Sequence, residues 1–151
     1  MKYKSVVLSI LFASHVNAAD LYLIAGGFSK HYDPAGQNEI HPSIGVQYDN
    51  FSVIYVQKNS IEKQSIQVSW SDDFYQSEWV NVGYRLGLAT GYDTGTKFDD
   101  NKRTYHGVDW GHGIAPVAAI ELTIPTPVPK LSIMVDGMWN AVVFGVKYQF
   151  N

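Results

Sequence analysis

The chain has 151 residues, 46% of them apolar and 14% aromatic, with 17% charged, no cysteine and a formal charge of -3 at neutral pH. This composition excludes a disordered or collagen-like chain, a disulfide scaffold and any thiolate metal or thiol redox site. The acidic balance leaves no basic footprint for a phosphate backbone, so no nucleic-acid partner is expected.

The first segment reads as a leader. Lys2 and Lys4 form a positive start, residues 5–14 are mostly apolar, and Val16-Asn17-Ala18 is a small-residue cleavage pattern. The apolar run is shorter than the roughly 18 residues a spanning helix needs, so residues 1–18 are predicted to be a secretory signal peptide. Residues 19–151 then form one exported domain, made more acidic by the loss of two lysines.

Beyond the leader the chain alternates, the signature of strands with one apolar and one polar face. After an irregular first strand over 20–31, Pro42, Ile44, Val46 and Tyr48 oppose His41, Ser43, Gly45 and Gln47. Phe51, Val53 and Tyr55 continue the pattern, and Ile66, Val68 and Trp70 oppose Ser65, Gln67 and Ser69. Val80, Val82, Tyr84, Leu86 and Leu88 oppose Asn81, Gly83, Arg85 and Gly87. Ala118, Ile120, Leu122 and Ile124 alternate with Glu121 and Thr123, and Leu131, Ile133 and Val135 with Ser132 and Asp136. The last run places Val142, Phe144, Val146, Tyr148 and Phe150 against Gly145, Lys147 and Gln149.

Eight strands of roughly ten residues suit a tilted membrane crossing, and eight is the smallest usual barrel. Short turns are predicted at 49–50, 71–75 and 125–130, and a long polar insert at 92–111, so short and long loops fall on opposite ends. The bulky set is too large for a narrow lumen, whereas the glycines and serines of the other set fit one. The fold class predicted is therefore all-β, an eight-stranded antiparallel up-and-down outer-membrane barrel, in preference to a soluble lipocalin-like barrel. Arg85 and Glu121 are expected to pair across the lumen.

With both termini on the periplasmic side, the long-loop end faces outside the cell. It gathers polar residues of catalytic type: His31, Asn38, Glu39, His41, Asn59, Ser60, Glu62, His106, Asp109 and His112. His106, Asp109 and His112 offer metal-donor types, but they lie in a glycine-rich, charged loop, and no metal or cofactor is expected.

The run Asn38-Glu39, Pro42, Gly45, Tyr55, Lys58-Asn59-Ser60 and Trp70 resembles the lipid A palmitoyltransferase (PagP-like) family. Residues 87–91, Ala115-Pro116-Val117, residues 131–135 and the ending Tyr148-Gln149-Phe150 are similar to that family's later strands in order. The resemblance implies a barrel whose lumen holds one acyl chain and whose outer rim moves palmitate from a phospholipid to lipid A. It places the family's essential serine on Ser60 and its preceding aspartate on Asn59. The family histidine aligns near Gly27, which makes His31 a displaced substitute.

Acyl transfer needs a base for a hydroxyl proton and donors for the oxyanion. His31 is the candidate base, Ser60 the candidate nucleophile or donor, and Asn59 a donor that an ionised aspartate could not be. Asn38, Glu39 and His41 are the expected substrate-binding residues, and membrane lipids the expected partners of a monomer. The competing expectation is a non-catalytic outer-membrane barrel that acts through the 92–111 loop as a surface-binding or receptor-blocking protein. A lipid A deacylase would need a late His-x-Ser pair, which nothing after His112 supplies.

Overall fold

The structure is a computed structural model that describes residues 19–33 and 35–150; the leader expected at residues 1–18 lies outside them. In chain order the strands are β1 (Leu21–His31), β2 (Ile40–Tyr48), β3 (Phe51–Val56), β4 (Ser65–Gln76) and β5 (Asn81–Ala89), then β6 (Lys97–Phe98) and β7 (Arg103–Thr104). They are followed by β8 (Ala115–Pro125), β9 (Leu131–Met138) and β10 (Ala141–Gln149). Eight of them close into an antiparallel barrel, β1-β2-β3-β4-β5-β8-β9-β10 and back to β1, while β6 and β7 form a small hairpin within the long loop. Closure leaves the barrel itself without an unpaired strand edge.

The alternation turns a belt of large apolar side chains outside and keeps the polar side chains, with a few apolar ones, inside. Along β3, Ser52, Ile54 and Val56 are buried while Phe51, Val53 and Tyr55 are exposed. The same outward set includes Ile44, Val46, Ile66, Trp70, Leu86, Ile120 and Val146. A belt of this kind on every wall inverts the arrangement that water favours and suits a hydrocarbon surround.

The interior has two zones. Toward the end that carries the termini, Arg85 on β5 forms ion pairs with Glu121 on β8 and with Asp136 on β9, the latter at 3.1 Å. Glu121 also pairs with Lys147 on β10, so the expected Arg85–Glu121 pair is present, between neighbouring strands rather than across the lumen, as part of a four-residue network. The Arg85 guanidinium donates to Ser52 Oγ and Ser69 Oγ, both at 3.1 Å. Its inward neighbours Ser52, Ser69 and Ser71 are small, and β4 runs so close to Gly87 that a Cβ there would lie 2.1 Å from the Val68 carbonyl. Above the network sits an apolar cluster of Ile24, Ile54, Val56 and Met134.

Two local features depart from simple alternation. The β1 register shifts between Gly26 and Phe28 against both neighbours: Gly27 is the extra residue of a bulge against β10, whereas against β2 it faces two residues, His41 and Pro42. Tyr22, Ile24 and Gly26 face in before it, Ser29 and His31 after it, and Phe28 is turned out. The turn expected at 71–75 is strand instead. Ser71 is buried, pairs with Arg85 in register and donates to Glu121 Oε2, so lumen chemistry extends β4 to Gln76. The reversal falls at 77–80, where Ser77 Oγ accepts from the backbone N–H groups of Trp79 and Val80. The turns at 49–50, 77–80 and 126–130 share one end of the barrel with the termini of the described strands; the loops 32–39, 57–64 and 90–114 and the short turn at 139–140 share the other.

Candidate functional site

At the long-loop end a cavity of about 300 Å³ opens into the barrel. Its lower walls are Ile24, Ile54, Val56, Ala89, Val117 and Met134, and Met134 Sδ touches the Arg85 guanidinium at 3.2 Å, so the ion network forms the floor. Its mouth is lined by Ser29, His31, His41, Asn59, Ser60 and Tyr92, with Phe98, Tyr105 and Val108 of the long loop reaching over it. This volume is at the low end of ligand pockets, about 300–1,000 Å³, and suits one slender apolar ligand.

The polar groups at the mouth come mainly from β1, the start of β2 and the β3–β4 loop. Ser29 on β1 and His41 on β2 face each other, with Ser29 Oγ 2.6 Å from His41 Nε2. His41 Nδ1 lies 3.0 Å from the Lys58 carbonyl oxygen. A carbonyl only accepts, so Nδ1 carries the proton and Nε2 presents a lone pair to the Ser29 hydroxyl, which donates.

Asn38 ties the segment behind this pair together. Its Nδ2 donates to the Ile40, Lys58 and Asn59 carbonyls, and its backbone N–H donates to the Ser60 carbonyl at 3.0 Å. Asn59 is buried, accepts at Oδ1 from the Ile61 and Lys63 N–H groups and donates from Nδ2 to the Gly91 carbonyl, each at 3.0 Å. Ser60 Oγ donates to the Tyr92 hydroxyl at 3.4 Å. Burial pushes the Tyr92 phenol above its ordinary range, against a smaller opposing effect of the Ser60 bonds.

His31 is buried, and its Nδ1 has no hydrogen-bond partner among the described residues; Glu39 Oε1 is 4.0 Å away. Glu39 accepts instead from Lys30 Nζ at 3.1 Å and from the His31 backbone N–H at 3.2 Å, and these two donors, the lysine first, hold its carboxyl below the usual range.

Of the residues expected from the sequence, His31, His41, Asn59 and Ser60 all line the cavity, and Asn38 and Glu39 stand directly behind them. No hydrogen bond joins His31 to Ser60; each has its own neighbourhood. The close hydroxyl–imidazole contact is Ser29–His41, and Ser29 was not among the expected site residues. Asp109 uses its carboxylate on the N–H groups of Thr94, Gly111 and Gly113, and it forms no metal-binding group with His106 and His112.

No protein-family profile matches this chain, and no curated protein matches it. Among solved structures, one from the de novo design of transmembrane beta-barrels is similar at a TM-score of 0.56 and 17% sequence identity, over 87% of this chain and 95% of that one. The likeness is one of fold: a closed eight-stranded antiparallel barrel of the transmembrane kind.

Proposed function

We propose that the protein is an outer-membrane acyltransferase, similar in action to the lipid A palmitoyltransferases, that moves a palmitoyl-type chain from a phospholipid to lipid A. The observation that carries this reading is the apolar cavity under a polar mouth. Its walls accept a single hydrocarbon chain and its charged floor halts that chain. An ester carbonyl held at the mouth would then sit among Ser29, His31, His41, Asn59 and Ser60. Exposed apolar side chains on the outer wall fit a protein immersed among its own substrates. Export by the expected leader, and the outer membrane as destination, belong to the same proposal.

A second reading draws on the long loop. The loop is held at its base by Asp109, which accepts from Thr94, Gly111 and Gly113, and it exposes Val108 and Trp110 to solvent, as a surface-binding barrel would.

Mass spectrometry of lipid A from cells expressing the full chain separates the two. A palmitate-sized mass gain, diminished by Ser60→Ala and His31→Ala, is the expected result. Unchanged lipid A in cells whose outer membrane holds the folded barrel would refute acyl transfer to lipid A and favour the loop as the working part.

A further inference from the structure

We propose that Ser29 and His41 are a nucleophile and general base, and that the acyl group passes through a covalent ester on Ser29. This deepens the acyl-transfer reading and rests on it for the identity of the donor lipid.

The geometry has the parts that activate a serine. The Ser29 hydroxyl donates to His41 Nε2 over 2.6 Å, and the Lys58 carbonyl, 3.0 Å from Nδ1, fixes the tautomer that leaves Nε2 free to take a proton. Both side chains line the cavity above its apolar walls, so a chain inserted among Ile24, Ile54 and Val56 brings its carboxyl carbon toward Oγ. The same cavity lining holds two further groups of the donor type an oxyanion needs. His31, two residues along the same inward face of β1, has a buried Nδ1 with no hydrogen-bond partner among the described residues, and Asn59 Nδ2 has a second hydrogen beyond the one given to Gly91. The bulge at Gly27 makes the arrangement possible, because unbroken alternation would turn Ser29 toward lipid.

The chemistry is two ester exchanges. Oγ attacks the phospholipid ester carbon while its proton moves to Nε2. The carbon–oxygen bond to glycerol breaks, and His41 gives that proton to the departing oxygen, which releases lysophospholipid and leaves acyl-Ser29. An acceptor hydroxyl then gives its proton to Nε2 and attacks the acyl carbon. The bond to Oγ breaks and the proton returns to Ser29.

The test is a long-chain alkyl fluorophosphonate, applied to the full chain folded in detergent micelles, with heat-modifiable gel migration as the check on folding. One phosphonyl adduct, mapped to the peptide holding Ser29, is expected; Ser29→Ala should abolish it, and His41→Gln should slow it by about 100-fold or more. A structural serine would not be labelled. No adduct on the folded chain, or an adduct on another serine, overturns the proposal. So does an undiminished lipid A mass gain in cells carrying Ser29→Ala, which would leave acyl transfer itself standing. A Ser29 adduct with unchanged lipid A supports the pair and removes lipid A as the acceptor.

Discussion

Glu121 shows how tightly the interior is specified. Its carboxylate receives Arg85 and Lys147 together, and Ser71 Oγ donates to it at 3.3 Å. Removing it leaves two buried cations facing only Asp136, so Glu121→Ala should lower unfolding stability in urea by about 3–5 kcal/mol, read by tryptophan fluorescence in lipid vesicles. That Arg85 and Glu121 meet was legible from the sequence, because both occupy polar positions in otherwise apolar alternation and a narrow lumen offers each few other partners. The Ser29–His41 contact was not. It joins two strands across a register shift, and nothing in the residues around Gly27 announces which neighbour will face which. His31, Asn59 and Ser60 were legible as residues of the outer rim, but their partners, such as Gly91 for Asn59 and Tyr92 for Ser60, come from a loop more than thirty positions away.

Among the elements, the eight barrel strands were readable because period-two alternation survives wherever one face meets lipid and the other a lumen. The misplaced turn at 71–75 has the same origin. Its serine and aspartates look like turn residues, yet Ser71 is polar because it faces the ion network. The long loop is a case where composition conceals order. Asp109 gathers three backbone donors at 2.7–3.1 Å, and those donors hold its carboxyl below the ordinary carboxylate range, Thr94 first. A carboxyl whose pKa is lowered on folding adds order above its unfolded value of 3.8 and loses it as the pH falls through the lower folded value. Amide exchange across 92–114 should therefore quicken as the pH falls below about 4, once the intrinsic pH dependence of exchange is allowed for. Asp109→Ala should give the fast exchange already at neutral pH while the barrel strands stay protected.

At the scale of the molecule the outer wall decides the solvent. Ile44 sits at the middle of β2 opposite Ala25 and Tyr55 and is more than half exposed. Ile44→Arg should cost about 2–4 kcal/mol when the chain is unfolded from lipid vesicles, the cost of a cation at bilayer depth. If the wall met water, the same substitution would change little. The floor of the cavity has an electrical consequence as well. Arg85, Glu121, Lys147 and Asp136 cross-link the four consecutive strands β5, β8, β9 and β10 inside the lumen, with Ser52, Ser69 and Ser71 packed around them. Ions thus meet a lattice of fixed, mutually paired charges where a porin keeps water. Planar bilayers holding many copies should stay silent under an applied voltage. Glu121→Ala, by uncoupling that lattice, should be the substitution that makes them leak.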